Sequence, residues 1–494
     1  MIDPVFLSLF IILPLIGSFI SSFFATFIQN KKYLIFNQSG AILILLADLL
    51  LIGYISLKFG PSSPLAFSYS SYFSINSFSL LILILVQIVF LFVGVFSLKY
   101  IAPARQSNYF IFYFSLNLGI NLTLLANNLF ALFISWEMMV ISGYILVSFN
   151  KSAEAYEAGF KYLIISSVGS LFMLLGIGLV AGLIGSLDFT AISSKNILSD
   201  ELGLLSLAFI VIGFATTGGA FIFNQWLPDA HPEAPAPVSA LLSGIVVNLG
   251  IYGLYRTFTI YLVANNTYST NISKMIVLLG LLTMFEGSIM VFAQFTKDII
   301  DLKRILAYST ISHMGLLLTL TPLNSQLGLI ALIYHIFSHS LSKSLLFLMA
   351  GYLQLVYGTR NIKSLAGVGR KDIPAGIFLA IGLFSLGGFP GTTGFISELL
   401  AFIAIFSSGL ASNFTLSLII VLIVILNSIL AFGGYLWLMK ILVFNPESHS
   451  INSKQDSIRN HKTIGFTMIV FSGLIILMGF FPNIVISYIS SLLF

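Results

Sequence analysis

The sequence of 494 residues contains no cysteine and few charged residues. The absence of cysteine excludes disulfide bonds, and it excludes iron–sulfur clusters and thiolate-bound haem held by this chain. If the protein works in a redox assembly, the electrons therefore travel through other subunits. Charged residues make up only 8% of the chain, whereas a typical soluble domain contains about 25%. This deficit excludes an ordinary globular enzyme.

Apolar residues are abundant instead: they make up 58% of the chain, and the mean hydropathy is +1.04. A helix that crosses a bilayer needs about 20 apolar residues, and the sequence contains about fourteen such runs, the last over residues 464–490. Short connections join them, and the longest polar one covers residues 445–462. We therefore predict an all-α polytopic membrane protein with about 14 transmembrane helices. The formal net charge of +5 says little about nucleic acid, and we predict no nucleic-acid partner.

The distribution of positive residues predicts the orientation. Of the 22 Lys and Arg residues, 17 lie in connections after odd-numbered runs, 4 lie after even-numbered runs, and Lys343 lies within a run. Cytoplasmic loops carry the excess of positive charge. We therefore predict that the odd-numbered connections face the cytoplasm, and that both termini lie outside the cell (plasma) membrane.

Two of the apolar runs contain glycine and proline in their interior. They are "GFATTGGAFIFNQWLPDAHPEAP", residues 213–235, and "SLGGFPGTTGFISELL", residues 385–400. Glycine and proline free backbone groups that hydrocarbon cannot satisfy, so such breaks survive only where protein or water covers them. A pair of interrupted spans is typical of transporters built from two internal repeats.

The segment "YHIFSHSLSKSLLF" contains the most specific cluster of ionisable residues, His335, His339 and Lys343. Their spacing of i, i+4 and i+8 predicts that all three lie on one helix face. Histidine changes its charge near neutral pH, so the series is suited to a proton relay through intervening water. The alternative is a polar seam that satisfies neighbouring helices. A metal site is less favoured, because Lys343 would repel a cation.

Other carboxylates lie within the runs, where an ionisable residue costs a few kcal/mol and is a functional candidate. Glu137 is predicted to pair with Lys161 at the start of the next helix, and the protonation state of such a carboxylate depends on its partner. Glu398 follows the second break, and Glu286 has no partner nearby in the sequence. Asp48 in the second run is interpreted as structural.

Four segments in order identify a family resemblance: "NQWLPDAHPEAPAPVSALLSGIV", "DLKRILAYSTISHMG", "YHIFSHSLSKSLLFLMAG" and "GGFPGTTGFISELL". Together they resemble the antiporter-like membrane subunits of the complex I superfamily. That group includes proton-pumping subunits of NADH:quinone oxidoreductases, subunits of membrane-bound hydrogenases, and Mrp-type cation/proton antiporters. The resemblance implies a fourteen-helix core with two inverted five-helix repeats and two broken helices. It divides the chain into helices 1–3 (1–107), a first repeat (108–263), a second repeat (264–441), and a cytoplasmic loop with the last helix (442–494).

The resemblance also implies a set of site residues. The proton pathway would comprise Glu137, Lys161, His335, His339, Lys343 and Glu398, with Glu286 as an additional candidate. The sequence departs from the family at Thr217 and Asn248, where relatives usually keep lysines. Threonine and asparagine can only hydrogen-bond and order water, so the first half-channel has lost its titratable centre.

Three functions follow from the resemblance. The first is a proton-translocating, energy-coupling subunit of a redox-driven complex, similar to NADH:quinone oxidoreductase or membrane-bound hydrogenase. The alternatives are a subunit of an Mrp-type cation/proton antiporter and a non-pumping membrane scaffold for a soluble catalytic partner. The expected partners are other membrane subunits, the lipid bilayer and protons, with Na⁺ as the alternative ion. No catalytic residue, cofactor, metal or redox centre is expected in this chain, so any oxidoreductase activity would belong to the assembly.

Overall fold

A computed structural model describes residues 4–25, 31–58, 66–68, 72–195, 197–261, 267–323, 325–408, 414–448 and 457–493. Most of these residues are helical. They form two compact units, the first drawn from residues 1–216, 256–265 and 488–494, and the second from residues 217–255 and 266–487.

The first unit contains eight helices and a short antiparallel hairpin. The helices are α1 (Pro4–Ala25), α2 (Lys31–Lys58), α3 (Ser77–Tyr100), α4 (Gln106–Leu125), α5 (Leu129–Val147), α6 (Ala153–Ile184), α7 (Phe189–Ser193) and α8 (Glu201–Thr217). Strands β1 (Ala66–Ser68) and β2 (Ser74–Asn76) pair so that Phe67 lies opposite Ile75. Asn76 then begins α3 with a capping box, in which its side chain accepts from the Ser79 N–H and Ser79 bonds back to the Asn76 N–H.

Helices α1 to α6 pack in the order of the chain, with α1 also against α4. Helix α3 is buried along most of its length. At Gly94 of α3, both neighbouring helices come close: an added Cβ would lie 2.7 Å from Leu45 Cδ1 of α2 and 3.4 Å from Tyr113 Oη of α4. The absence of a side chain at Gly94 therefore lets α2, α3 and α4 meet at one level.

The second unit contains the remaining twelve helices. They are α9 (Leu227–Glu233), α10 (Ala236–Leu241), α11 (Val247–Tyr261), α12 (Thr267–Phe295), α13 (Leu302–Leu320), α14 (Gln326–Tyr357), α15 (Val368–Lys371), α16 (Ile373–Leu386), α17 (Thr393–Ser407), α18 (Phe414–Met439), α19 (Lys462–Phe480) and α20 (Pro482–Leu493). The last residues of α11 and α20 belong to the first unit, and Thr217 at the end of α8 belongs to the second. A π-helical turn, Leu242–Val246, joins α10 to α11.

Helix α14 is the core of the second unit. It packs against α10, α13, α16, α17 and α19, and nearly all of its 32 residues are buried. Ser325 caps its first turn by accepting from the Gly328 N–H. The helix ends at Gly358, which takes the left-handed conformation that glycine adopts without steric cost. The polar face of α14 is therefore enclosed by protein.

Both predicted breaks are confirmed. Helix α8 ends at Thr217 and α9 begins only at Leu227, while α16 ends at Leu386 and α17 begins at Thr393. The chain turns through Gly219 at the first break (φ +66°) and Gly388 at the second (φ +68°), in the left-handed region that favours glycine.

Within the described residues, nine helical segments are long and apolar enough to cross a membrane, and five further apolar helices are shorter. The chain is thus a polytopic, mostly helical membrane protein. The last predicted run is not one helix, because α19 ends at Phe480 and α20 begins at Pro482. Proline has no N–H to continue the hydrogen-bond ladder of the preceding helix.

Candidate functional site

The predicted series on α14 is fully enclosed in the second unit. His335, His339 and Lys343 are 2%, 1% and 0% exposed. Charged groups in such surroundings need polar neighbours, because burying an ionised group without a partner is costly. The neighbours of each residue therefore decide what the series can do.

The two histidines of α14 belong to a cluster of three imidazoles. His313 of α13 places its Nδ1 3.3 Å from His335 Nε2, and its ring centre lies 5.5 Å from that of His339. The other ring nitrogen of His335, Nδ1, lies 3.1 Å from the hydroxyl of Ser397 on α17. At about 5.5 Å and a dielectric constant of about 20, two positive rings repel by about 3 kcal/mol. One proton on the cluster therefore disfavours a second.

His313 is absent from the residues predicted from the sequence. It lies in the segment "STISHMG" of α13, which served only to identify the family resemblance. Nothing in the spacing along α13 indicates that His313 meets His335, because that meeting depends on how α13 packs against α14. A single histidine in an apolar helix was the only available signal.

Lys343 has only neutral acceptors. Its Nζ donates to the Leu306 carbonyl at 3.0 Å and to the Ser309 hydroxyl, both on α13. Within the described part of the chain, the ammonium has no carboxylate partner. A buried ammonium with only neutral acceptors is held less firmly in its charged form than one in an ion pair, so Lys343 is suited to exchange a proton.

Asn248, which the family resemblance places at a lysine position, contacts the same series. Its Nδ2 donates to the Gly244 carbonyl at 2.7 Å and to the Ser340 hydroxyl at 2.9 Å, and lies 3.4 Å from His339 Nδ1. The Gly244 carbonyl belongs to the π-helical turn, and the Ser340 hydroxyl also donates to it. Asn248 therefore fixes the turn against α14 beside an imidazole.

Hydroxyl groups link α14 to the second break. Ser342 donates to Ser385 at 2.7 Å, Ser385 lies 3.1 Å from Thr393 Oγ1, and Ser338 donates to the same Thr393 oxygen at 2.9 Å. Ser385 is at the end of α16 and Thr393 is at the start of α17. The polar face of α14 thus continues into the gap between the two half-helices.

Glu398 lies one residue beyond Ser397, the partner of His335. It lines a cavity of about 220 Å³ together with Gly388, Phe395, Ser428 and Phe432. A Cβ on Gly388 would lie 2.7 Å from Glu398 Oε2. The glycine therefore lets the turn of the second break approach the carboxylate.

Glu286 of α12 contacts the first break. Its Oε2 accepts from Asn224 Nδ2 at 2.5 Å. One turn earlier on α12, the Thr283 hydroxyl accepts from the Phe221 N–H at 2.9 Å. Helix α12 therefore holds the loop between α8 and α9, and Glu286 is in contact with that loop rather than with the α14 series.

The remaining predicted residues are Lys161, Glu137 and Thr217. In the first unit, Lys161 Nζ lies 2.8 Å from Glu157 Oε1, and the two side chains are 46% and 68% exposed. Glu137 Oε1 is buried and has no hydrogen-bond partner among the described residues. The pairing of Glu137 with Lys161 stays a prediction. Thr217 is 1% exposed, at the last residue of α8.

Charged residues of α9, of the start of α13 and of the segment after α14 form ion pairs that the sequence-based prediction missed. Arg360 lies 3.4 Å from Glu233 Oε1 and 3.2 Å from Asp301 Oδ2. Arg304 lies 3.4 Å from Asp229 Oδ1. All of them except Arg360 come from "PDAHPE" and "DLKR", two of the segments that carried the resemblance. Their charges were the available signal, but which pairs form depends on packing.

Two buried basic residues lie in the same region. Lys303 Nζ donates to the Ala234 carbonyl at 2.7 Å. His231 of α9 is fully buried, its ring stacks on Phe347 with centres 4.7 Å apart, and both of its ring nitrogens lack hydrogen-bond partners among the residues that the structure describes. The second unit therefore contains buried basic groups at α9, α13 and α14.

Comparison with known proteins gives one family and several relatives. The family described as "NADH:quinone oxidoreductase/Mrp antiporter, TM" matches residues 126–426. The chain is 30% identical over 355 residues to the hydrogenase-4 component F homolog of Methylacidiphilum infernorum, covering 68% of this chain and 73% of the relative. It is 31% identical over 332 residues to a Na(+)/H(+) antiporter subunit of Alkalihalophilus pseudofirmus, covering 67% of this chain and 66% of the relative.

Two solved structures share the fold over nearly the whole chain. A chain of the membrane-bound sulfane sulfur reductase, an archaeal respiratory membrane complex, superposes with a TM-score of 0.85 at 24% identity, covering 99% of this chain and 97% of that one. A chain of the Mrp complex from Dietzia sp. DQ12-45-1b gives a TM-score of 0.85 at 18% identity, covering 100% and 97%.

Proposed function

Because the chain belongs to the NADH:quinone oxidoreductase/Mrp antiporter transmembrane family, we propose that it is a proton-translocating, energy-coupling membrane subunit of a redox-driven complex. One observation carries this proposal. The second unit contains a buried series of ionisable groups, in which Lys343 is one turn from His339 on α14, His313 lies beside both His339 and His335, and His335 contacts Ser397, the residue before Glu398. Relatives and structural neighbours named as hydrogenase and respiratory-complex components support the redox-driven setting.

In this proposal Lys343 accepts a proton and passes it towards His339, one turn away on α14. The imidazoles pass it on, because repulsion between neighbouring positive rings prevents a second proton from following until the first has left. His335 releases it towards Ser397 and Glu398. The cavity beside Glu398 is the exit or entry side of this route.

We propose that the first half-channel is weakened, because Thr217 and Asn248 have no exchangeable charge. Asn248 would order the polar groups beside His339, which its contacts with Ser340 and Gly244 support.

The proposed arrangement in the membrane follows the sequence. We propose fourteen spans, with residues 1–107 as three leading helices, 108–263 and 264–441 as inverted five-helix repeats, and 442–494 as a cytoplasmic loop and last helix. Both termini would lie outside the plasma membrane. Other membrane subunits would flank the chain, in line with the multi-subunit complexes that contain its structural neighbours.

A second candidate is a subunit of an Mrp-type cation/proton antiporter. The 31% identity to a Na(+)/H(+) antiporter subunit favours it. A cation route needs acidic groups, and Glu286 and Glu398 are the carboxylates beside the two breaks. In this alternative the α14 series would still carry the proton, and Na⁺ would move in exchange.

The test is proton flux into liposomes that contain the purified assembly, driven by a potassium diffusion potential, so that no electron donor is needed. We expect His335→Ala and Lys343→Ala to lower the flux about 100-fold, which is the loss typical of removing a proton-transfer group. An imposed Na⁺ gradient that drives proton flux by itself would favour the antiporter candidate.

His461→Ala and Lys363→Ala are the matched controls, because both lie outside the α14 series. They are expected to leave the flux at the wild-type level. Wild-type flux in both α14 variants, with normal assembly, would overturn the relay and favour the scaffold function.

A further inference from the structure

Asp48 of α2, in the first unit, is a buried carboxyl group that forms no hydrogen bond with any residue the structure describes. It is 0% exposed, and neither carboxylate oxygen has a hydrogen-bond partner among the described residues. A buried charge without a partner is strongly unfavourable, so the group needs a cation or a proton to remain there. A structural role, which the sequence suggested, would require hydrogen bonds that Asp48 does not make.

The helices around Asp48 contain further unpaired oxygens. On α3, Gln87 donates its Nε2 to Asn121 Oδ1 at 2.9 Å, while its own Oε1 is buried without a partner among the described residues. On α4, Asn117 is 0% exposed, and neither its Oδ1 nor its Nδ2 has a partner within the described ranges. Amides buried in this way normally find partners.

Helix register brings these groups to one region. Leu45 of α2 lies against Gly94 of α3, and Asp48 is three residues further along, on the same side of α2. On α4, Tyr113 donates to the Phe90 carbonyl and Asn121 bonds to Gln87.

Asn117 lies four residues from each of those two α4 residues, so it also lies on the α3 side. Gln38 near the start of α2 donates to Gln106 of α4, which donates to carbonyls at the end of α3. Helices α2 and α4 therefore both run antiparallel to α3, and Asp48, Gln87 and Asn117 fall within about two helical turns of one another.

We propose that Asp48, with the amide oxygens of Gln87 and Asn117, binds one monovalent cation, a proton or Na⁺, at a site separate from the α14 series. The charge decides the class of ligand, since one carboxylate and two neutral amides balance a single positive charge. The ligand atoms point to the same class, because carboxylate and amide oxygens bind hard cations and can also share the proton of a carboxyl group. When protonated, Asp48 would donate to an amide oxygen that now has no donor.

Infrared difference spectroscopy of the purified assembly in lipid tests the site directly. We expect a protonated-carboxyl C=O band that disappears as the pH is raised from about 5 to about 9, across the range where perturbed carboxyl groups titrate. Asp48→Asn should remove the band, and Gln87→Leu or Asn117→Leu should shift it. Added Na⁺ that removes the band at constant pH would identify Na⁺ as an occupant, and an unchanged band would identify the proton alone.

Two controls keep the outcome clear. Asp372 is also buried, but its carboxylate accepts from Tyr352, Ser457 and the Ile458 N–H, so Asp372→Asn should leave the band in place. The band should also persist in His335→Ala, so that this site can exist even if the α14 relay fails.

The proposal is overturned if Asp48→Asn and the wild type give the same carboxyl spectrum at every pH. It is also overturned if the Asp48 band neither changes with pH nor responds to Na⁺. Asp48→Leu is the second variant if the asparagine variant proves unstable, because leucine has a similar volume and leaves no unpaired polar group at this buried position, and it should also remove the band.

Discussion

Replacing Lys343 with methionine should separate transport from stability. The ammonium is fully buried on α14 and donates to the Leu306 carbonyl at 3.0 Å and to the Ser309 hydroxyl. Methionine has a similar length and no charge. The two acceptors do not depend on the lysine alone, because the Ser309 hydroxyl also donates to the Leu306 carbonyl at 2.8 Å.

The free energies nearly cancel. Two hydrogen bonds from a charged donor are worth about 1.5–3 kcal/mol each, so the variant loses about 3–6 kcal/mol. It also escapes the cost of keeping an ammonium out of water, which is several kcal/mol for a buried ion. We therefore expect Lys343→Met to change the free energy of unfolding by less than about 2 kcal/mol. Proton flux should fall about 100-fold, because the exchangeable group is gone.

The measurements are denaturant unfolding of the purified protein in mixed micelles and proton flux in liposomes. Lys363→Met, at an exposed residue, controls for loss of a lysine elsewhere and should change neither quantity. A loss of more than about 4 kcal/mol, with flux reduced only in proportion to the folded fraction, would refute the reasoning. Lys343 would then be a structural residue.

Three further substitutions test neighbouring features. Ser397→Ala removes the hydrogen bond to His335 Nδ1 at 3.1 Å, and the loss of about 1 kcal/mol should lower the proton flux about fivefold; an unchanged flux would show that this contact does not orient the ring. Gly388→Ala forces a side chain into the left-handed region at φ +68°, so the unfolding free energy should fall by about 1–2 kcal/mol. Proton flux should also fall, because the added Cβ would lie 2.7 Å from Glu398 Oε2 and displace the carboxylate. Asp372→Ala removes the acceptor of the Tyr352 hydroxyl, the Ser457 hydroxyl and the Ile458 N–H and should cost about 3 kcal/mol of stability, with flux per folded molecule at the wild-type level; reduced flux in the folded fraction would connect this end of α16 to transport.

The helices and their breaks could be predicted because membrane insertion makes strong demands on the sequence. A helix in lipid must be long and apolar, and irregular backbone there needs glycine, proline and a covered site. The interruptions after Thr217 and Leu386 therefore appear in the sequence as Gly and Pro clusters. The break at Phe481 was missed, because one proline near the end of an apolar run reads equally well as part of a tilted helix.

The site was predictable only along one helix at a time. His335, His339 and Lys343 are related by helical spacing, which the sequence contains. His313 meets them through packing between α13 and α14, and Asn224 meets Glu286 through a loop that folds back onto α12. Contacts of this kind depend on crossing angles and turn geometry, which no spacing along the chain encodes.

The number of residues in the π-helical turn Leu242–Val246 determines which way Asn248 faces. A π turn holds one surplus residue relative to an α-helix, and each residue advances the helix by about 100°. Deleting one residue there would rotate Asn248 away from Ser340 and remove the hydrogen bond of 2.9 Å between them. Apolar exchanges within the turn preserve that alignment, whereas a single-codon deletion would not. An insertion or deletion in this turn would therefore displace the Asn248 side chain more than a point substitution in the turn would.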